Sequence, residues 1–249
     1  MINKILLIIR SAIFFASVPL FTVFFTLFSL PFVRHLPYKR RFLYMITWSK
    51  VVLYLARIIC RIEVNLEGQE HIPNKKAFVM MANHQSEWET FFLVNLIAPV
   101  KIVCKSSLLR LPLGVGYGIS LMQPLAVERN KPKTAVRRIF TAGKKTLLED
   151  NLPLLIFPQG TRAKASTNST FAKLGAKLAI ETETPIIFVS HDAGKCWPEK
   201  GFLKYPGKIN VSIKPAVYTS KNTSNAEAIM DEGQMWINER LAKFSEQTT

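Results

Sequence analysis

From about residue 60 to its C-terminus, the chain alternates short apolar runs with longer segments of helical periodicity. Apolar runs bounded by turn residues predict strands. They lie at residues 62–66, 77–82, 100–104, 123–127, 152–157, 185–190 and 209–214. Apolar positions at helical spacing predict helices at residues 87–97, 133–149, 171–183 and 225–244.

Strands separated by helices are typical of an α/β fold. We therefore predict a mostly parallel or mixed central sheet flanked by helices, in one domain over residues 61–249. The loops that follow the strands then gather at the edge of the sheet, where α/β proteins bind their ligands.

Residues 1–60 carry a different pattern, which predicts an N-terminal membrane-embedded helical hairpin. Residues 11–33 contain no charged side chain, and such a run is long enough to cross a bilayer. A secretory signal is the alternative, but the run is too long and no small-residue cleavage site follows it. The second apolar stretch, residues 42–60, contains Lys50 and Arg57, which favours a helix that lies in the membrane interface, or dips into one leaflet, over a second crossing.

Basic residues outnumber acidic ones by 33 to 17, a formal net charge of +16. This excess favours an anionic partner: nucleic acid, acidic lipid headgroups or an acidic carrier protein. The apolar N-terminus and the lack of a recognisable nucleic-acid module argue against nucleic acid. Basic residues flank the first apolar run more heavily on its C-terminal side, which predicts that the following domain stays on the cytoplasmic side. These flanking residues are Lys4, Arg10, Arg34, Lys39, Arg40 and Arg41.

The three cysteines, Cys60, Cys104 and Cys196, are widely spaced and match no metal-binding pattern. Their odd number and the cytoplasmic assignment favour free thiols. The sequence contains neither a P-loop nor the G-x-S-x-G motif of serine hydrolases. We therefore expect neither a metal ion nor a cofactor.

The segment Asn83-His84-Gln85-Ser86-Glu87-Trp88-Glu89 contains a candidate base. Five positions on a continuous helix would point His84 and Glu89 in different directions. They meet only if His84 lies in the turn before a helix and Glu89 lies in its first turn; Asn83 and Ser86 are candidate caps for such a helix. A carboxylate on one imidazole nitrogen fixes the tautomer for proton transfer at the other. The alternative is a surface histidine near an unrelated carboxylate.

A second motif, Phe157-Pro158-Gln159-Gly160-Thr161-Arg162, follows a predicted strand. Its proline and glycine predict a sharp turn that presents backbone N–H groups beside the Arg162 guanidinium, a group suited to phosphate. Lys105 and Arg129 also follow strands and are candidates for the same anion site. A surface ion pair for Arg162 and solvated surface positions for Lys105 and Arg129 are the alternatives.

The order of these motifs resembles the glycerolipid acyltransferases, and among them the enzymes that act on 1-acylglycerol 3-phosphate. The family pattern N-H-x-x-x-x-D is similar to Asn83-His84 with Glu89, and F-P-E-G-T-R is similar to residues 157–162. A Lys followed by Leu, Pro and Gly is similar to Lys105 and residues 108–114, and a Pro-led apolar strand is similar to residues 184–189. The resemblance covers residues 60–215. Glu89 replaces the usual Asp, and Gln159 replaces the usual Glu.

The resemblance implies an enzyme that moves an acyl group from acyl-CoA or acyl carrier protein to the free hydroxyl of 1-acylglycerol 3-phosphate, forming phosphatidate. His84 and Glu89 would be catalytic. The acceptor would be held by Arg162, Gly160, Thr161, Gln159, Lys105 and Arg129. The expected location is a bacterial inner membrane. The alternatives are an acyltransferase for another lysophospholipid or a lipid A precursor, which the change at Gln159 favours, and a non-catalytic protein that binds anionic lipid.

Overall fold

The computed structural model describes residues 4–74, 77–112, 114–128, 130–162 and 170–246. Its α-helices are α1 (Lys4–Val33), α2 (Tyr38–Cys60), α3 (Trp88–Leu96), α4 (Val115–Leu121), α5 (Pro132–Leu148), α6 (Leu174–Thr182) and α7 (Ala226–Glu246). Its strands are β1 (Ile62–Glu67), β2 (Val79–Ala82), β3 (Lys101–Lys105), β4 (Leu125–Val127), β5 (Leu154–Ile156), β6 (Ile186–His191) and β7 (Gly207–Ile213). Short 3-10 helices follow β1, β3 and β6, at Gln69–His71, Ser106–Arg110 and Ala193–Lys195.

The strands form one mixed sheet with the order β1-β7-β6-β2-β5-β3-β4. Neighbouring strands are parallel except β6 and β7, which pair antiparallel. Parallel neighbours need a long crossover, whereas the connection between β6 and β7 contains only a single 3-10 turn and returns the chain in the opposite direction. The predicted α/β class and mixed sheet are therefore confirmed.

Helix α4 was not predicted from the sequence, because Gly116 and Gly118 disfavour a helix in isolation. A β-carbon at Gly116 would lie 2.4 Å from the carbonyl oxygen of Leu109. The glycine therefore allows α4 to pack against the preceding 3-10 helix, and this tertiary contact outweighs the low helical propensity.

The two N-terminal helices pack against each other, with the Trp48 indole N–H donating to Thr22 Oγ1 at 2.9 Å. Helix α1 is longer than the predicted apolar run and continues through Pro19. It exposes many large apolar side chains, including Leu20, Leu27 and Phe28. Both helices are long and apolar enough to cross a membrane, and they fit a membrane-embedded hairpin.

Helix α2 buries one face; besides α1, its main packing partner is α3. The residues of this face recur every three or four positions and are Phe42, Met45, Ile46, Ser49, Val52, Ala56 and Cys60. The Phe14 ring of α1 packs edge-on against Trp197, at 5.2 Å between ring centroids. Ser11 Oγ accepts the backbone N–H of Lys204 at 3.0 Å. The hairpin therefore shares a hydrophobic core with β2 and β6. The division at residues 60 and 61 stays a prediction.

The sheet brings the two sequence motifs together because β2 lies between β5 and β6 and is parallel to both. Met81 is in register with Ile156, and Ala82 is in register with Val189. The segments that follow β2 and β5 therefore leave the sheet side by side at its carboxyl edge. His191, the last residue of β6, lies at the same edge.

Candidate active site

His84 and Glu89 form the centre of the site. His84 lies in the loop between β2 and α3, and Glu89 lies in the first turn of α3. His84 Nδ1 and Glu89 Oε1 are 2.7 Å apart. Both residues are buried: 8% of the surface of His84 is exposed and none of that of Glu89. The predicted break between loop and helix is therefore the geometry that lets the two side chains meet.

The Glu89 carboxylate is ionised and fully hydrogen-bonded. It accepts the backbone N–H of Gln85 at 2.8 Å and that of Ser86 at 2.8 and 3.0 Å, and the Ser86 hydroxyl donates to Oε2 at 2.7 Å. Burial alone would raise the pKa of Glu89. The imidazoles of His191 and His84 and the N–H of Ser86 outweigh burial and lower this pKa to about 2. Burial lowers the pKa of His191 and so favours its neutral form, which carries no charge to attract the carboxylate. We therefore ascribe the lowered pKa of Glu89 chiefly to the hydrogen bonds.

The ionised carboxylate determines which nitrogen of His84 carries the proton. A carboxylate can only accept, so Nδ1 is the donor and Nε2 keeps its lone pair. Within the described part of the chain, Nε2 has no hydrogen-bond partner. The Phe157 ring stacks on the imidazole, with 4.1 Å between centroids and 16° between planes. The ring is therefore held in place while Nε2 stays available to take a proton.

A second histidine supports this loop without acting as a base. His191 is buried, and its Nε2 lies 2.7 Å from the Asn83 carbonyl oxygen, while Nδ1 accepts the N–H of Ala193 at 3.3 Å. Burial lowers the pKa of His191, and the neutral tautomer satisfies both contacts. The Asn83 side chain pairs with the His191 backbone at 2.8 and 3.0 Å. Asn83 therefore ties the loop to β6 and does not cap α3.

Ser86, the other predicted cap, does bond to the start of α3: its hydroxyl accepts the N–H of Trp88 at 3.0 Å. The same hydroxyl donates to Glu89. One short side chain thus fixes both the helix start and the carboxylate. The role of Asn83 is invisible in the sequence, because its partner lies 108 residues away.

Gly160 forms the predicted turn after β5. Its φ is +68°, and its N–H donates to the Phe157 carbonyl oxygen at 3.0 Å. Among the described residues, no atom lies within 4 Å of where a β-carbon at Gly160 would be, so these residues leave this side of the turn uncovered. Thr161 is also exposed. Gln159 makes a contact that the sequence did not predict: its Oε1 accepts the backbone N–H of His84 at 2.6 Å. In the structure it positions His84.

Arg162 connects the two motifs directly. Its Nε donates to the Ser86 carbonyl oxygen at 3.1 Å, and its Nη1 lies 2.8 Å from Glu87 Oε1. The Trp197 indole N–H donates to the other Glu87 oxygen at 3.0 Å. A guanidinium has five N–H donors, so these two contacts leave others for an anion. Neither Glu87 nor Trp197 was predicted from the sequence to belong to the site.

The remaining candidates are less closely associated with this centre. Lys105 is exposed at the end of β3, at the same sheet edge but with β5 between its strand and β2. Within the described ranges, its ammonium group makes no hydrogen bond or ion pair to Glu87 or Glu89, the acidic residues of the site. Arg129 lies outside the described residues. Among the described residues, no group of three or more His, Cys, Asp or Glu side chains is arranged to hold a metal ion.

Comparisons with known proteins identify the family of the chain. The model of the family described as Acyltransferase matches residues 63–192. A 1-acyl-sn-glycerol-3-phosphate acyltransferase of Pseudomonas aeruginosa is 34% identical over 212 residues, covering 84% of this chain and 81% of that protein. A chloroplastic 1-acyl-sn-glycerol-3-phosphate acyltransferase of Arabidopsis thaliana is 26% identical over 211 residues, and the match spans 56% of its length.

The crystal structure of the 1-acyl-sn-glycerophosphate acyltransferase from Thermotoga maritima has a similar fold. The TM-score is 0.79, and the match covers 97% of each chain at 21% sequence identity. This similarity includes the N-terminal hairpin as well as the sheet.

Proposed function

The chain belongs to the acyltransferase family, and we propose that it transfers a fatty acyl group from a thioester to the free hydroxyl of 1-acylglycerol 3-phosphate (lysophosphatidate). The product is phosphatidate. One observation carries the proposal: a histidine held by a buried ionised carboxylate, with no partner for its Nε2 among the described residues, lies beside the arginine that follows the turn at Gly160.

In the proposed reaction, His84 Nε2 takes the proton of the acceptor hydroxyl as its oxygen attacks the thioester carbonyl carbon. The carbon–sulfur bond then breaks, and the proton passes from the imidazolium to the departing thiolate. Glu89 stabilises the imidazolium at 2.7 Å. The thioester is already activated, so the reaction needs no covalent enzyme intermediate and no cofactor.

General-base assistance of this kind typically accelerates a reaction about 10²- to 10⁴-fold. Holding two substrates in the right geometry is worth more, up to about 7–11 kcal/mol of the barrier. Hydrogen bonds tie Asn83 to β6, and His84 and Ser86 to the segment after β5, and so keep the base fixed, which supports this second contribution.

We assign the acceptor phosphate to Arg162 and the turn at Gly160 and Thr161. Arginine matches phosphate oxygens with two parallel hydrogen bonds and stays charged at any relevant pH. The Arg162 contact to the Ser86 carbonyl oxygen keeps the guanidinium next to the His84 loop. The phosphate and the attacking hydroxyl of one small headgroup would then lie in neighbouring positions. Lys105 and Arg129 remain candidates for additional charge.

We further propose that the hairpin is embedded in the cytoplasmic side of the membrane. The buried face of α2 supports an interfacial position, because this face packs on the domain and leaves no room for lipid there. The exposed apolar side chains of α1 would enter the acyl region. The basic residues around the turn between the helices support the cytoplasmic side.

The observations weigh against the alternative functions. The change at Gln159 was the main argument for a different acceptor, but its side-chain oxygen contacts the His84 backbone. A protein that only binds anionic lipid would have no use for a buried Glu89 with four hydrogen-bond donors around it.

The test is acyl transfer by the purified full-length protein in detergent. We would supply labelled acyl-CoA or acyl carrier protein of several chain lengths, with lysophosphatidate, lysophosphatidylcholine or a lipid A precursor as the acceptor. We expect phosphatidate as the main product with at least one donor. Binding to anionic liposomes without transfer to any acceptor would refute the proposal.

A further inference from the structure

Glu87 forms an ion pair with Arg162, the residue whose guanidinium we assign to the acceptor phosphate. Its Oε1 lies 2.8 Å from Arg162 Nη1, and its Oε2 accepts the Trp197 indole N–H at 3.0 Å. The pair is accessible to solvent, with 29% of the Arg162 side chain and 35% of the Glu87 side chain exposed. An arriving anion can therefore reach both partners.

Carboxylate and phosphate are competing ligands for the same donors, because both offer paired oxygens to a planar guanidinium. A phosphate monoester carries nearly two negative charges at pH 7, whereas a carboxylate carries one. A phosphate monoester is therefore able to displace Glu87, but at the cost of breaking an existing ion pair.

We propose that Glu87 is an internal competitor for the phosphate clamp: it leaves Arg162 when lysophosphatidate binds and returns to Arg162 as the product leaves. This inference rests on the proposed function. The product phosphatidate carries the same phosphate as the acceptor, so a clamp without a competitor would retain it. Glu87 weakens the binding of both phosphates and thereby favours release.

The structure provides a place for the displaced carboxylate. Trp197 can keep its hydrogen bond to Oε2 while Oε1 leaves Arg162. Lys204 lies behind Trp197, with its ammonium group 5.1 Å from the ring centroid. Burial lowers the pKa of Lys204, whereas the charge of Glu87 raises it, which indicates that the two charges interact. The displaced carboxylate therefore stays hydrogen-bonded and near a positive charge.

Arg162 also has a contact that is independent of Glu87. Its Nε donates to the Ser86 carbonyl oxygen at 3.1 Å. The guanidinium therefore stays in place when Glu87 leaves, and only its Nη groups change partner. If Glu87 competes with phosphate, its loss should strengthen phosphate binding. If Glu87 only held Arg162 in place, its loss would disorder Arg162 and weaken phosphate binding.

The central experiment measures Glu87→Gln in the full-length protein with lysophosphatidate and an acyl thioester. We expect the acceptor KM and the inhibition constant of phosphatidate both to fall, by about 3- to 10-fold, the order expected for a partly exposed charge pair. The KM of the thioester should not change. An unchanged or increased acceptor KM would overturn the inference.

Glu181→Gln is the matched control. Glu181 forms a surface ion pair with Lys144, also at 2.8 Å, near the end of α6, at the amino edge of the sheet. The Glu181→Gln variant removes the same charge as Glu87→Gln but should leave the acceptor KM and the phosphatidate inhibition constant unchanged. Glu87→Asp is the second variant: its shorter side chain cannot hold Arg162 and Trp197 together, so the acceptor KM should fall although the charge is kept. Glu87→Asp also tests the inference if Glu87→Gln does not fold.

A double-mutant cycle separates competition from simple charge repulsion. In an Arg162→Ala background, Glu87→Gln should change the acceptor KM by less than about twofold, because the contested guanidinium is absent. An equal fall in both backgrounds would overturn the inference. If the unmodified protein transfers no acyl group to lysophosphatidate, the proposed function fails. If it does and these shifts are missing, only the role of Glu87 fails.

Discussion

Replacing Glu89 by Gln tests whether the negative charge of the carboxylate, and not only its shape, supports catalysis. The amide is the same size as the carboxylate. Its oxygen can accept from His84 Nδ1 and from the N–H groups of Gln85 and Ser86, as Oε1 does now. Its NH₂ group would face the Ser86 hydroxyl, which can rotate to accept, while the Ser86 N–H would lose its 3.0 Å contact to Oε2 and keep the 2.8 Å contact to the amide oxygen. We therefore expect the variant to fold with the His84 ring still oriented.

The size of the effect follows from the distance and the burial. A general base becomes positive as it takes the proton, so the Glu89 charge acts mainly in the transition state. Two unit charges about 4 Å apart attract by about 4 kcal/mol at an effective dielectric constant of about 20. Part of this is retained by the amide dipole. We therefore expect kcat to fall about 10²- to 10³-fold, with little change in the KM of either substrate.

The assay is steady-state acyl transfer to lysophosphatidate in detergent, with thermal unfolding as a check on folding. Glu89→Asp is the control, because it keeps the charge while shortening the side chain by one methylene. Its kcat should lie between those of the unmodified protein and Glu89→Gln. If Glu89→Gln retained kcat within about threefold, the charge would have no role in the reaction, and the reasoning from His84 protonation would be wrong.

Three further variants or conditions test the other parts of the site. His84→Ala should lower kcat about 10²- to 10⁴-fold, and near-normal turnover would exclude His84 as the base. Arg162→Ala should raise the lysophosphatidate KM by about 10- to 100-fold through loss of charge-assisted hydrogen bonds, with the thioester KM as the internal reference; an unchanged acceptor dependence would contradict the clamp. The pKa of Glu89, lowered from 4.5 to about 2, means that this carboxylate stabilises the fold fully above about pH 4.5 and loses that contribution as the pH falls towards 2. The free energy of unfolding, measured by denaturant titration, should therefore decline less over this pH range in Glu89→Gln than in the unmodified protein. The difference should be of the order of 3 kcal/mol. Parallel curves for the two proteins would contradict the pKa assigned to Glu89.

The sequence pattern predicted the strands well, because each one is a short apolar run between turn residues. The predicted bounds differ from those in the structure by no more than two residues. The order of the strands was not predictable from such runs, since β2 pairs with β5 and β6, which follow it by more than 70 residues. Local periodicity contains no information about such distant partners.

The same distinction applies to the site. The contact between His84 and Glu89 was predictable, because both residues belong to one turn and the start of one helix. The contacts of Arg162 with Glu87 and of Gln159 with the His84 backbone depend on the adjacency of β2 and β5. That Gln159 contacts the substrate stays a prediction, and only the fold shows that its side chain also contacts the backbone of the His84 loop. Trp197 lies more than 100 residues from Glu87 in the sequence, and only the fold reveals that it belongs to this region.

The docking of α1 on the loop after β6 has a practical consequence for handling this protein. A shortened form beginning at Arg61 would lose Phe14, Phe42 and Ile46 from its interior and would expose the faces of Trp197 and β2 that they cover. Removing the hairpin therefore replaces one exposed apolar surface with another. A version that dissolves without detergent would instead need polar replacements on the outward side of α1, such as at Leu20, Leu27 and Phe28, with the inward side left intact.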